Sequence, residues 1–355
     1  MKDHVNLNGK TVLVTGSPGF IGANLVIRLL QEMDGGAVIS LDNMNDYYDP
    51  TLKKYRLSLI EKAAQKSRAK HTFIIGNIAD KALVDRIFAE YKPAVVVNLA
   101  AQAGVRYSID HPDVYIESNV IGFYNILEAC RNWPVEHLVY ASSSSVYGGN
   151  KKVPFSTDDK TDNPVSLYAA TKKSNELLAH SYGKLYGIPS TGLRFFTVYG
   201  PAGRPDMFYF SAANTLKTGG TIRIFNYGNC KRDFTFVDDI VEGVFRVMQG
   251  APEKKNGEDG LPVPPCSVYN IGGGQPENLL DFISTLQTEL LRAGVLPKDY
   301  DFEAHRELVG MQPGDVPVTF ADTEALEKDY GFRPEIGIKD GLRRFAEWYS
   351  SYYCS

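Results

Sequence analysis

The sequence predicts an α/β fold: a doubly wound parallel sheet followed by a smaller mixed α/β domain. Three observations predict it. Near-continuous apolar runs alternate with helical patterns through the first half of the 355 residues, as strands covered on both faces require. A glycine-rich turn joins the first run to the first helix. The polar residues able to do chemistry fall at the carboxyl ends of the runs, where such sheets bind ligands.

In chain order, Lys10–Thr15 is the first strand, and Gly19 to Gln31 follows as a helix with Ile21, Leu25 and Leu29 on one side. Ala37–Leu41 reads as the second strand, His71–Ile75 as the third, Ala94–Asn98 as the fourth and His137–Ala141 as the fifth. Right-handed crossovers wind these strands into one sheet. A helix runs from Tyr168 through Tyr182, with Ser166 or Asn163 as its cap. After about Gly192 the rhythm changes, and turn-rich stretches at Gly200–Pro205 and Phe225–Asn229 interrupt shorter elements. This is the smaller mixed domain, some of whose segments return to the first. Residues 250–266, rich in Gly, Pro and charge, read as a mobile surface loop. The last helix, Ile338 to Tyr353, carries Leu342, Phe345 and Trp348 as a packing face.

Composition excludes several classes. Hydrophobic residues make up 43% and charged residues 23%, the balance of a globular protein. With 38 basic and 42 acidic residues the net charge is −4, so no cationic excess exists for broad nucleic-acid binding. An anionic ligand must be held by a few placed cations. No stretch reaches the ~18 apolar residues of a membrane span, and the polar segment Met1 to Lys10 does not read as a signal peptide. Cys130, Cys230, Cys266 and Cys354 lie far apart, without metal-site spacing or disulfide density, which fits a reducing cytosol.

The turn Thr15-Gly-Ser-Pro-Gly-Phe-Ile-Gly22 places glycines at 16, 19 and 22 between strand and helix. They allow a tight turn and close backbone approach to a pyrophosphate, which the helix N-terminus then attracts. Asp42 ends the second strand 20 residues after Gly22. A carboxylate there accepts ribose hydroxyls and repels a 2′-phosphate, favouring NAD over NADP, and no Arg or Lys follows it until Lys53.

Tyr168 and Lys172 stand one helical turn apart on the same face. Tyr147/Lys151 and Tyr227/Lys231 share that spacing but lie beside glycine-rich turns. A phenol titrates near ~10, so a phenolate at neutral pH costs about 4 kcal/mol, which a neighbouring ammonium and a positive nicotinamide ring would offset. Serines 142–145 end the fifth strand; they either join this network or merely satisfy backbone groups in the turn.

On these residues the chain resembles the extended short-chain dehydrogenase/reductases of Rossmann type, specifically the nucleotide-sugar 4-epimerases, and within them the UDP-glucuronate 4-epimerases. The resemblance runs from Thr15 to about Tyr353. It is carried further by Asp46–Asp49, Ala101–Arg106, Ser142–Gly148, Leu193–Pro201, Gly203–Met207, Arg232–Phe234 and Gln312–Val316. It implies a homodimer built on the helices Asp113–Cys130 and Tyr168–Leu185, with residues 1–193 binding NAD and 194–355 binding the UDP-sugar. Val114, Val120 and Ile121 could equally be sheet-facing core.

The implied reaction is redox-neutral. Tyr168 takes the C4 hydroxyl proton, Lys172 is its partner and anchors NAD, and Ser143 assists. The 4-keto sugar turns over in the pocket before C4 is reduced from its other face. The dinucleotide would lie on Gly16, Gly19, Phe20, Ile21, Gly22, Asp42, Asn43, Asn77, Ile78, Leu99, Ala100, Ala101 and Asn119, with Tyr168 and Lys172. The substrate would meet Arg106, Ser143, Ser144, Ser145, Thr197, Arg204, Arg232 and Asp315, Arg232 at the diphosphate and Arg204 at the sugar carboxylate. No metal is implied.

Related dehydratases and decarboxylases carry an acid where this chain has Ser145, so loss of water from C6 lacks its acid here. A uronate must also be held so that its β-keto acid keeps its CO₂. Ala202, at a position often aromatic in the subgroup, bears on pocket width. Arg204 could instead only tether its own turn to a nearby acid. The alternatives are a 4-epimerase of UDP-glucose or UDP-N-acetylglucosamine, or a non-catalytic NAD sensor.

Overall fold

The computed structural model describes residues 2–311 and 318–354. Seven strands form one parallel sheet: β1 (Thr11–Thr15), β2 (Ala37–Asp42), β3 (Lys70–Ile75), β4 (Val95–Asn98), β5 (His137–Ser143), β6 (Ser190–Phe195) and β7 (Cys266–Ile271). Their order is β7-β6-β5-β4-β1-β2-β3, and all neighbours are parallel. The order reverses between β1 and β4, which opens a crevice at their carboxyl ends.

Alternation along each strand divides the core. Val12 and Val14 face one side with Leu25, Leu29, Val244 and Met248, whereas Leu13 and Val96 face the other with Phe123, Ile126 and Leu127. Each such side chain, fully buried, stabilises the fold by about 1.5–3 kcal/mol. Five of the seven strands match the apolar runs read from the sequence. The other two carry buried polar groups that interrupt their runs, Arg194 in β6 and Asn270 in β7.

Residues 194 onward divide between two locations. The helix Val237–Met248 packs on the helix Phe20–Glu32, and β7 pairs with β6, so both return to the large sheet. The remainder contains a three-stranded sheet of Thr197–Tyr199, Lys231–Phe236 and Pro276–Asn278, a parallel pair of Ile222–Ile224 with Arg306–Leu308, and the helices Leu279–Arg292 and Ile338–Tyr353 packed against each other. Leu342 and Phe345 of the last helix are buried, and the indole of Trp348 donates to Tyr55 Oη at 3.2 Å.

Residues 250–266 are not an unpaired loop. Gly250–Pro252 is a buried strand pairing with Lys2–His4, and Lys255–Asn256 pairs with Pro262–Val263 as a hairpin. Their Gly and Pro content reads as loop, but the backbone groups find partners across the chain. The helix expected from Asp113 also differs. Short turns at Tyr107–Asp110 and Pro112–Tyr115 lead through a π-helical segment, Ile116–Ile121, into Gly122–Asn132. Among the described residues no helix is long and apolar enough to cross a membrane.

Candidate active site

A cleft at the carboxyl ends of β1, β2, β4 and β5 collects most of the residues singled out in the sequence. Its floor is the turn after β1. Gly16 has φ +71°, and a Cβ there would lie 2.8 Å from the Ala100 nitrogen; one on Gly22 would lie 2.2 Å from the Gly16 oxygen. Only glycine closes this turn. The helix Phe20–Glu32 starts from Gly19 with no side-chain cap and no acid in its first turn, which leaves its N-terminal N–H groups to the cleft. Such a cradle fits a dinucleotide pyrophosphate. Phe20, Ile21, Asn43, Asn77, Ile78, Leu99, Ala100 and Ala101 lie on the same wall.

Asp42 ends β2 at the cleft, where its Oδ1 accepts the Met44 N–H at 2.7 Å. Lys53, eleven residues later, folds back through the helix Pro50–Ala64 and brings Nζ to 3.4 Å from that oxygen and 2.7 Å from Asn45 Oδ1. Linear distance had separated this lysine from Asp42; the helix restores it. Three residues further on, Arg56 is 1% exposed. Its guanidinium donates to the carbonyls of Pro18, Ala202 and Gly203 and to Tyr48 Oη, at 2.6 to 3.2 Å. This buried cation, satisfied on four acceptors, ties the glycine turn to the loop that carries Arg204. Ala202 is buried with φ +50°. It packs into the core, not the cleft wall, so it does not set pocket width.

Tyr168 and Lys172 sit in the first turns of the helix Leu167–Tyr186, capped by Ser166, whose Oγ accepts the Ala169 N–H at 3.1 Å. Both line the cleft beside Ser143 at the end of β5. Burial raises the phenol, while a hydrogen bond from Ser143 and the charge of Arg204 pull it down and Asp206 pushes it up. Lys172 instead gives Nζ to the Ala141 carbonyl at 2.8 Å, and burial lowers it to about 8. The expectation of a phenol held down by its i+4 ammonium is therefore revised: Ser143 and Arg204 are the groups that lower it, and burial still leaves it raised on balance.

Ser143 also accepts from Ser145, through N–H at 3.2 Å and Oγ at 2.9 Å, so both roles considered for these serines coexist. Ser142 points the other way, to Glu176, which pairs with Arg194 at 2.8 and 2.9 Å. That buried pair locks the helix of Tyr168 to β5 and β6.

Arg204 faces the cleft, and it forks Asp206: Nε to Oδ1 at 3.0 Å and Nη2 to Oδ2 at 2.5 Å. Tyr47 donates to the same Oδ2 at 3.4 Å. The tether to a nearby acid is thus present, on a guanidinium that also borders the cleft.

Other expected residues lie off this wall. Asn119 is 1% exposed in the π-helical segment; its carboxamide takes the Gln102 N–H and gives to Gln102 O and Thr171 Oγ1. It braces the loop after β4 and does not line the cleft. Arg106 is exposed, its guanidinium 5.5 Å from the Phe225 ring centre. Ser144 and Ser145 lie in the helical turn that follows Ser143 and do not line the cleft, Thr197 opens the strand beside Phe234, and Arg232 lies on the neighbouring strand opposite Glu277. Asp315 lies outside the described residues. Sequence reasoning did not assign Lys53, Tyr47, Met207 or Asp206 to the site; Tyr47, Asp206 and Met207 left a signal, since they lie in the motifs Asp46–Asp49 and Gly203–Met207, whereas Lys53 did not.

Comparisons with known proteins agree with this geometry. A model of the NAD dependent epimerase/dehydratase family matches residues 12–272. Protein CapI of Staphylococcus aureus is 46% identical over 96% of this chain and 99% of its own length. UDP-glucuronate 4-epimerase 4 of Arabidopsis thaliana is 44% identical over 98% of this chain and 76% of its own. The crystal structure of UDP-glucuronic acid 4-epimerase from Bacillus cereus, in complex with UDP-glucuronic acid and NAD, superposes with a TM-score of 0.81 at 29% identity, covering 97% of this chain and 100% of that one.

Proposed function

Because the chain belongs to the NAD dependent epimerase/dehydratase family, we propose that it interconverts UDP-glucuronate and UDP-galacturonate by inverting C4 of the sugar. The observation that carries the reading is one cleft wall bearing both Tyr168, with Ser143 beside it, and the carboxylate-seeking Arg204. The relatives named UDP-glucuronate 4-epimerase support the substrate.

NAD bound in this cleft would supply a reversible hydride acceptor for C4. The chain's own groups do the rest. Gly16, Gly19 and the first turn of the helix Phe20–Glu32 hold the pyrophosphate, and Asp42 takes the ribose hydroxyls. Tyr168 Oη accepts the C4 hydroxyl proton and later gives it back, with Ser143 sharing the hydrogen bond. Lys172, fixed on Ala141, holds the NAD side of the cleft. Arg204 holds the uronate carboxylate, keeping the C5–C6 bond out of line with the C4 carbonyl so that CO₂ is retained. Arg232 serves the diphosphate from the second domain. Ser145, engaged with Ser143, supplies no acid for loss of water at C6. In this reading residues 1–193 hold NAD and 194–355 the UDP-sugar, with β7 and Val237–Met248 returning to the first part. Free cysteines fit a reducing cytosol.

A neutral UDP-hexose is the second reading, favoured by the pairing of Arg204 with Asp206, which leaves no unpaired cation facing a neutral sugar. The test is a panel: purified protein incubated with UDP-glucuronate, UDP-glucose or UDP-N-acetylglucosamine, without added reductant. UDP-galacturonate forms fastest; conversion of only a neutral sugar overturns the uronate reading.

A homodimer completes the proposal. Ile116, Ile121, Tyr124, Leu177, Leu185 and Tyr186 are exposed on the two helices implicated in assembly, Leu185 to 66%. Apolar side chains exposed together on these two helices are what a second copy would cover. Val114 and Val120, by contrast, are half-buried. Light scattering gives twice the mass of one chain; a single-chain mass excludes the dimer.

A further inference from the structure

We propose that Asp206 is a positioning residue that sets how strongly the cleft prefers a uronate over a neutral sugar. The proposal rests on the functional reading above and concerns the arginine at its centre.

A guanidinium has five N–H groups along two bidentate edges. Asp206 occupies the side-on edge of Arg204 through Nε and Nη2, at 3.0 and 2.5 Å. Beyond Asp206, Arg204 meets no second carboxylate among the described residues: only the Tyr47 phenol lies against it, so its end-on edge, Nη1 with the outer Nη2 hydrogen, is left for an anion in the cleft that it lines. Tyr47 donates to the same Asp206 oxygen that takes Arg204 Nη2, and Arg56 fixes the loop through the carbonyls of Ala202 and Gly203. The fork is therefore aimed before any sugar arrives.

The charges follow directly. Without substrate the pair is neutral. A sugar with a C6 hydroxyl leaves it so, and Arg204 pays no desolvation penalty unpaired. A uronate takes the end-on edge but brings a second carboxylate to one guanidinium, so Asp206 opposes part of its attraction. Asp206 thus moderates uronate affinity and makes neutral sugars tolerable.

Tyr168 reports the same charge. The groups facing it are Ser143, Arg204 and Asp206, with the Tyr115 ring at 6.0 Å and Tyr47 beyond; Lys172 is anchored on Ala141. Asp206 raises the phenol, so removing its charge lowers it and moves the acid limb of the rate profile to lower pH.

The test is Asp206→Asn, which keeps the shape and one acceptor, with Asp206→Glu as the charge-retaining control. The ratio of kcat/KM for UDP-glucuronate over UDP-glucose rises about fivefold in Asp206→Asn, the worth of one partly exposed charge contact, mainly through KM. The acid limb of kcat moves down in pH, and Asp206→Glu restores both values. Should Asp206→Asn fail to fold, Asp206→Ser carries the same expectations. Wild-type enzyme run alongside separates the two ideas. Turnover of UDP-glucuronate with an unmoved or reduced ratio overturns this role for Asp206 alone, whereas no wild-type turnover overturns the functional reading and this role with it.

Discussion

Tyr168→Phe lowers kcat about 10³- to 10⁴-fold, the usual worth of a positioned general base, with the fold and NAD content intact. The substitution removes one oxygen. The helix Leu167–Tyr186 keeps its Ser166 cap, its buried Glu176–Arg194 pair and the edge-to-face contact of the ring with Tyr115. What disappears is the acceptor for the C4 hydroxyl proton. Ser143 cannot replace it: an unassisted hydroxyl is a far weaker base, and its oxygen already accepts twice from Ser145. Steady-state rates with saturating UDP-glucuronate, alongside the absorbance of the bound dinucleotide, check this; a kcat within tenfold of wild type contradicts it.

Arg204→Ala separates uronate from neutral sugars. The pair is partly exposed, and losing a hydrogen bond to a charged group costs about 1.5–3 kcal/mol, so kcat/KM for UDP-glucuronate falls by at least tenfold. Two losses add: the end-on edge that meets the uronate is gone, and Asp206 is left uncompensated facing the incoming carboxylate. UDP-glucose loses neither contact. It does feel the phenol, which the Arg204 charge normally pulls down. With that charge removed the phenol rises, so the acid limb for the neutral sugar moves to higher pH while its plateau is spared. Parallel pH profiles on both sugars measure this. Equal loss on both sugars at every pH contradicts the assignment of Arg204 to the carboxylate.

The parallel sheet was legible because β1, β2, β4 and β5 are apolar on both faces, a pattern that helices on either side demand. Where strands bury charge the pattern breaks: Arg194 in β6 is satisfied by Glu176, a partner in another element that no local window reveals. Lys2–His4 escaped for the opposite reason, being polar and half-exposed, held by a strand some 250 residues on. At the site, the glycine turn and the Tyr168/Lys172 spacing are local and therefore readable. The placement of Lys53 and Arg56 depends on a helix folding back onto β2 and the glycine turn, and that of Arg204 on a loop held by Arg56. Lys172 shows the limit of spacing arguments: it shares a face with Tyr168, yet its ammonium is spent on a strand carbonyl.

The central claim is that one cleft removes hydrogen from C4 and puts the same hydrogen back on the other side. UDP-glucuronate bearing deuterium at C4, incubated with the holoenzyme and no added reductant, tests it in a single NMR experiment. The account predicts UDP-galacturonate with the deuterium still at C4. Product carrying solvent hydrogen at that carbon, or no product at all, contradicts it.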